Sequence, residues 1–364
     1  MSKDFLDQLA DKLTIYEASS LIARIHEKKC KSKAKRFGLF PITDWAAFHR
    51  TLKLESSFWL SHEIDFSNDI NHFLAFTEEE KQPLLMAFGF FAVGDGSIVN
   101  MLAYQMILIS DTLEKQNFYV VQLDNERVHA MTYATMIYTL VEDPNEREKI
   151  FNAVENIKSI KNMNKFIEES FTYPDGERQI YVSLAASEYI MFTPLFCIIF
   201  WYRAYKRGKI PMVILSNELI AQDEAAHCYN GCENYKLLDK KYTDEEIWKL
   251  IDKVVLLVSD FADEVLTNVH LVDLTPDNVK KYIKFVADDL LLRLGHNKFY
   301  NVENPFIWMD FTNLINKTNL YEGRNIQYRR FNVDQTIDKL KKLMDGKNVK
   351  ENVNLYEKIE DEKF

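Results

Sequence analysis

Glu126-Arg127-Val128-His129 and Glu224-Ala225-Ala226-His227 repeat one pattern, a carboxylate and an imidazole three residues apart. On an α-helix that spacing puts both side chains on one face, about one turn apart, where they can grip one metal ion. One Glu-x-x-His means little in a chain rich in Glu. Two of them, joined by Asp95 and Glu188 on otherwise apolar helical stretches, describe a carboxylate-bridged dinuclear metal site inside a helix bundle. Such a site can activate dioxygen.

The bulk composition permits this and narrows the alternatives. The chain has 364 residues, 47% hydrophobic and 13% aromatic, enough for one large core or two modest ones. Its 10 Gly and 8 Pro are sparse for a β-rich protein and suit long helices. A net charge of −10 argues against a general nucleic-acid-binding surface. Four cysteines, Cys30, Cys197, Cys228 and Cys232, are too few and too irregular for a disulfide framework, and no second pair accompanies Cys228 and Cys232 to make a zinc site. A reducing, cytoplasmic compartment fits best. The start, Met1-Ser2-Lys3-Asp4-Phe5, has no apolar signal core. The apolar runs Leu84–Val93 and Tyr189–Tyr202 fall short of the ~20 residues needed to cross a bilayer, so no membrane association is expected.

Three regions are expected along the chain. Residues 1–36 are charged and end in the basic run Lys28, Lys29, Lys31, Lys33, Lys35 and Arg36. This reads as a solvated, mobile arm, with a nuclear-import-like signal as the competing reading. Residues 37–331 hold the helical domain, with helices at roughly 43–57, 77–108, 112–141, 144–157, 177–207, 212–238, 242–268 and 275–293. Thr43 or Asp44 is the N-cap of the first. Pro144, Pro211 and Pro276 sit at helix starts, where proline is tolerated, whereas Pro194 lies inside an apolar helix and calls for a kink or widened turn. Residues 332–364 are polar and lysine-rich and read as a largely disordered tail.

A di-iron site needs about four carboxylates to neutralise and bridge the ions and one imidazole for each. Asp95, Glu126, Glu188 and Glu224 with His129 and His227 supply that set from four helices. Asp95 follows Phe88-Gly89-Phe90-Phe91-Ala92-Val93, and Glu188 lies between Leu184-Ala185-Ala186-Ser187 and Tyr189-Ile190-Met191-Phe192. A carboxylate in such surroundings costs several kcal/mol unless paired or coordinated. Taken singly, each acid would more often be half-exposed or salt-bridged; taken together the six favour the metal site. Tyr133, four residues after His129, lies on the same stripe and so beside the metals. A tyrosine there is most often plain core, but beside an oxygen-activating centre its phenol can lose an electron and a proton and become a neutral radical.

The chain resembles the small, radical-generating subunit of class I ribonucleotide reductase across roughly residues 36–331. The segments that carry the resemblance are Ser57-Phe58-Trp59, Glu63-Ile64-Asp65, Asp95-Gly96-Ser97-Ile98-Val99-Asn100, Glu126-Arg127-Val128-His129 with Tyr133, Ser216-Asn217-Glu218-Leu219-Ile220 and Asp223-Glu224-Ala225-Ala226-His227. Asn304-Pro305-Phe306 and Lys317-Thr318-Asn319 with Glu322 match too. The resemblance implies an all-α, ferritin-like helical bundle, a homodimer, and a large-subunit partner that reduces ribonucleotides. It implies iron ligation by the six named residues, with manganese suited to the same donors. It makes Tyr133 the radical site and Trp59 and Asp223 the route, with His129, between surface and metals. Phe192, Phe196 and Ile220 become the apolar wall around the radical, and Tyr328 the tail relay to the large subunit, with Tyr356 as competing candidate. The tail end, Glu360-Asp361-Glu362-Lys363-Phe364, is the expected anchor on that subunit.

Some positions depart from the family pattern. Gln222 stands where many relatives carry Arg, Thr193-Pro194 replaces a small, flexible pair, two residues are added within Tyr202–Lys206, and Lys363 interrupts the acidic end. Two other readings fit part of the sequence: a non-catalytic paralogue that partners the active small subunit, and a ligand-binding oxidase or ferritin. The complete ligand set with Tyr133 opposes the first. The Trp59–Asp223–His129 route and the acidic tail ending in Phe364 oppose the second, which needs no long-range radical export.

Overall fold

The computed structural model describes residues 38–152, 157–170, 176–309 and 333–344; the side chains of 92–97 and of several residues from 100 to 108, Asp95 among them, fall outside that set. Among the described residues every regular element is helical, as the sequence predicts. Helix α1, Trp45–Ser56, starts where Asp44 accepts a hydrogen bond from the Ala47 N–H at 2.9 Å, one of the two expected caps. Short helical turns lead to α2, Ile70–Leu74. Helix α3, Glu78–Met101, opens on a reciprocal cap between Thr77 and Glu80 and runs through a π-helical turn, Leu102–Met106, into α4, Ile107–Ile109. Then follow α5, Leu113–Leu140; α6, Pro144–Phe151; α7, Lys158–Ser170; α8, Glu177–Ala186; α9, Thr193–Tyr205; α10, Pro211–Lys236; α11, Asp244–Leu266; α12, Pro276–Leu294; and α13, Val333–Met344.

Two long helices define the centre. Helices α5 and α10 lie antiparallel, because partners rise in number along one as they fall along the other: Tyr119 meets Asn234, Glu126 meets His227, His129 meets Asp223 and Tyr133 meets Asn217. Helix α3 packs on α5 and α8 packs on α10, which encloses this polar seam in four helices. Around it stands a continuous apolar core that includes Phe88, Phe91, Val128, Met136, Ile190, Phe192 and Phe196.

Proline 194 acts as the sequence predicts. It sits in the first turn of α9, and immediately before it the helix widens into a π-helical turn, Ser187–Met191. Proline has no N–H to give to a carbonyl in the preceding turn, so the backbone opens there. The whole stretch Glu177–Tyr205 is long and apolar enough to cross a membrane, yet 94% of its most apolar window is buried within the protein. It is the core helix of this fold.

Among the described residues, three helices lie outside the expected ranges: the short α2, α7 and α13. Helix α7 carries Ile160, Met163, Phe166 and Ile167 on one buried face, a helical period masked by its dense Lys and Asn. Helix α13 corrects the expectation of a disordered segment from 332 onward, as far as residue 344. Its Leu340 packs with Ile42 and Phe48, Lys341 lies 5.3 Å from the Trp45 ring, and Asp334 meets His49 at 2.9 Å. Its lysines give the segment the composition of a solvated tail and mask the apolar stripe between them. The arm 1–36, Tyr328 and the tail beyond 344 lie outside the described residues.

The contact of α8 with α10 bears directly on the centre, since the two helices lead to Glu188 and carry Glu224 and His227. Gly231 sits where they approach tightly: a Cβ there would stand 3.3 Å from the Ala185 Cβ and 3.4 Å from the Tyr181 carbonyl. Gly231→Val should therefore force α8 and α10 apart and destabilise the protein by about 1–3 kcal/mol, with reduced metal content. An unchanged melting temperature and metal content in this variant would show that the spacing is not set here.

Candidate metal centre

The centre is assembled from glutamate and histidine side chains on facing helices. Glu126 and His129 are 0% exposed, Glu188 1%, Glu224 2% and His227 0%. Three carboxylates removed this far from water are strongly unfavourable without compensating positive charge. Each Glu-x-x-His lies on a continuous α-helix, so each pair shares a face. Glu188 is presented by the π-helical turn, and Gln122 Nε2 donates to its Oε1 at 2.7 Å.

The two sets interleave. Glu126 places Oε1 3.1 Å from His227 Nδ1 and Oε2 3.3 Å from His129 Nδ1. Glu224 places Oε1 3.1 Å from His129 Nδ1 and Oε2 3.2 Å from His227 Nδ1. Each of these carboxylates thus offers one oxygen to each imidazole. One ligand atom from each of Glu126, Glu188, Glu224 and His227 falls within 4.8 Å of the others. Although so close, both Glu126 oxygens, Glu224 Oε1 and His129 Nδ1 lack an aligned hydrogen bond. Such atoms each cost about 1–3 kcal/mol when buried without a partner. Cations held between the carboxylates would use all of them, so the donor set fits a bound metal pair. Two imidazoles, each flanked by the same two bridging carboxylates, match two ions rather than one.

The charge balance points the same way. Burial alone would pull His129 and His227 down, but for His129 the carboxylates of Asp223, Glu126 and Glu224 outweigh it and raise the pKa well above the ordinary value. For His227, Glu126 and Glu224 outweigh burial and raise it to about 9. Burial would raise Glu224, yet His129 and His227 hold it below the usual carboxylate range. The pocket's field favours added positive charge. Protons supply it weakly and divalent ions more strongly.

Around this set the expected neighbours take their places. Trp59 is buried, and its indole N–H donates to Asp223 Oδ2 at 2.8 Å; the same oxygen lies 3.2 Å from His129 Nε2. A carboxylate can only accept, so His129 donates from Nε2 to Asp223, and Nδ1, which faces Glu126 and Glu224, is the nitrogen that would meet a metal. Tyr133, one turn beyond His129, is fully buried and donates to Asn217 Oδ1 at 2.7 Å. The ring stacked on it is Phe91, with centroids 4.4 Å apart and planes at 7°; Phe192 and Phe196 pack behind Phe91 at 5.4 Å.

Three contributors escaped the sequence reading: Gln122, Phe91 and Asn217. Gln122 and Phe91 each lie four residues before an expected ligand and Asn217 seven before Glu224, so the helical stripe carried the signal. Asp95 lies on α3, but its side chain is outside the described set. Cys228 and Cys232 place their sulfurs 4.0 Å apart, and among the described residues no further ligand is gathered on them.

The ribonucleotide reductase, small chain family matches residues 36–305. The chain belongs to this family. It is 36% identical over 312 residues to human ribonucleoside-diphosphate reductase subunit M2, covering 84% of this chain and 78% of that one. It is 37% identical over 302 residues to the variola virus small chain, covering 82% and 92%. Among solved structures, a ribonucleotide reductase homodimer from Saccharomyces cerevisiae superposes with a TM-score of 0.69 at 22% identity, over 81% of this chain and 95% of that one. A dimanganese(II) protein from Streptococcus sanguinis does so with a TM-score of 0.69 at 18% identity, over 78% and 99%. The fold is therefore the ferritin-like helical bundle of these small subunits, and the chain is an oxidoreductase subunit with a dinuclear metal site. Family membership implies a large-subunit partner and a homodimer. The reading as a non-catalytic paralogue or a ligand-binding oxidase is not favoured.

Metal loading should stabilise the fold, since the ions bind the assembled site and not the unfolded chain. A single site at ~100-fold excess over its Kd adds about 2.7 kcal/mol. Ferrous or manganous ions should raise the melting temperature by several degrees, and a chelator should reverse the gain. A melting curve indifferent to both would mean that the carboxylates are neutralised by something else.

Proposed function

We propose that the chain holds a di-iron centre on Asp95, Glu126, His129, Glu188, Glu224 and His227, and that it stores an oxidising equivalent as a radical on Tyr133 for a large subunit that reduces ribonucleotides. The observation that carries this is the sharing of Glu126 and Glu224 between both imidazoles, with Tyr133 one helical turn further on. When bound, the metal pair supplies the dioxygen chemistry that removes an electron from the phenol. Iron and manganese both suit these donors, and metal analysis of the purified protein discriminates them.

The protein's own residues do the rest. Phe91 stacks on the Tyr133 ring and is itself packed against Phe192 and Phe196, and Ile220 is buried on α10. Together they keep water and reductants from the phenoxyl oxygen. Asp223 holds the Trp59 indole and the His129 imidazole on one oxygen, so an electron leaving through the indole has a proton acceptor beside it. The rings of Trp59 and His129 lie 6.0 Å apart with planes at 23°, close enough for direct electron transfer. From Trp59 the path continues to the partner through Tyr328, with Tyr356 as competing relay.

The free, buried thiols Cys197, Cys228 and Cys232 suit a reducing cytoplasm. The tail end, with Glu360, Asp361, Glu362 and the aromatic Phe364, offers an anchor for an apolar pocket flanked by basic groups on the large subunit.

Iron-loaded protein exposed to oxygen should give a tyrosyl electron paramagnetic resonance signal that Tyr133→Phe removes while iron content persists. Loss of iron in that variant would make Tyr133 structural instead. Trp59→Phe should keep both iron and radical and lose reductase activity with the large subunit; full activity would move the route elsewhere. Truncation after Glu357 should leave the radical intact and abolish large-subunit binding, and unchanged binding would place the interface on the helical core.

A further inference from the structure

Asn217 is a completely buried amide in the middle of α10, facing Tyr133. Asparagine is a poor residue for a helix interior, because its side chain competes for backbone hydrogen bonds. Here both ends of the amide are used. Its Nδ2 donates to the Val213 carbonyl at 2.8 Å and lies 3.5 Å from Ser216 Oγ, while its Oδ1 accepts from the Tyr133 hydroxyl at 2.7 Å. A backbone carbonyl can only accept, so the NH2 end must face Val213 and the oxygen end must face the phenol. The phenol is held in place too, by its stack on Phe91 at 4.4 Å.

We propose that Asn217 is a positioning residue that latches the phenolic proton of Tyr133 and, once that proton has left, offers the radical oxygen no donor of its own. This rests on the reading of Tyr133 as the radical site. Oxidation breaks only the phenolic O–H bond. The electron would go to the metal pair once dioxygen has oxidised it, and the proton to an oxygen of that dioxygen on its way to water. The proton cannot stay on Asn217, because a neutral amide oxygen is too weak a base to keep it. Once the proton is gone, two acceptors face each other across the former hydrogen bond. The amide cannot turn to donate without giving up the Val213 carbonyl and setting Oδ1 against it. The hydrogen bond therefore exists in the phenol state alone and favours it. That bias makes the stored oxidising equivalent readier to leave for the partner, and the latch closes again when an electron and a proton return.

The test is high-field electron paramagnetic resonance, with deuterium electron–nuclear double resonance after buffer exchange, on the full chain loaded with iron and exposed to oxygen. Tyr133→Phe comes first: a signal that survives it overturns the radical assignment itself, separately from any role of Asn217. In the unsubstituted protein, the radical should show no exchangeable deuteron that depends on Asn217, so Asn217→Leu should leave the set of exchangeable couplings unchanged. Asn217→Asp puts a carboxyl group in the same place, able to take the phenolic proton and donate it back. This variant should lower the largest g value and add one strongly coupled exchangeable deuteron. The proposal is overturned if a deuteron coupling of the unsubstituted radical vanishes in Asn217→Leu, which would make the amide a donor. It is equally overturned if Asn217→Asp gives the unsubstituted spectrum. Should Asn217→Leu fail to fold or to hold iron, Asn217→Asp decides alone.

Discussion

Glu126 and Glu224 face one another from antiparallel helices, and each is shared between His129 and His227. Most of the structure can be understood as what it takes to hold that arrangement away from water. Four charged or polar groups at contact distance cannot be buried on a single helix, because one face offers only every third or fourth position. They need two helices in fixed register, and two more to close the sides. The long α5 and α10, with α3 and α8 against them, meet that need.

The register propagates in both directions from the shared carboxylates. Toward one end the seam continues as Tyr133 on Asn217, toward the other as Tyr119 on Asn234, where Arg50 also donates to Asn230 and Asn234 at 2.7 and 3.1 Å. A one-residue slip would break every one of these pairs together. Glu188 enters differently. Its helix is interrupted by the wide turn that Pro194 imposes, and Gln122 steadies the carboxylate from α5. A local backbone defect thus serves the site, and a proline that looks misplaced in an apolar helix becomes intelligible.

Much of this was legible in the sequence because the helical period is a strict geometric rule. Spacings of three and four placed Glu126, His129 and Tyr133 on one stripe, and Pro194 announced the widened turn. The Trp59–Asp223–His129 cluster was legible only through family resemblance, since no spacing rule links residue 59 to residue 223. What escaped was of two kinds. Phe91 and Asn217 sit on the predicted stripes, but an aromatic or an amide in a core has no chemical signature until its partner is known. Helices α7 and α13 carry narrow apolar stripes among lysines and asparagines, and composition outweighed period there. The docking of α13 on α1 depends on Ile42, Phe48 and Leu340, residues almost three hundred positions apart, which no local pattern can join.

The claim on which everything else depends is that two metal ions sit between these six side chains, Asp95 included. Anomalous diffraction from crystals of the iron-loaded protein, collected on both sides of the iron absorption edge, measures this directly. The account predicts two peaks per chain, both ligated by Glu126 and Glu224, one beside His129 and the other beside His227, with Asp95 and Glu188 completing the shell. A single peak, or two peaks elsewhere with Glu126 and Glu224 bonded only to the imidazoles, would contradict it.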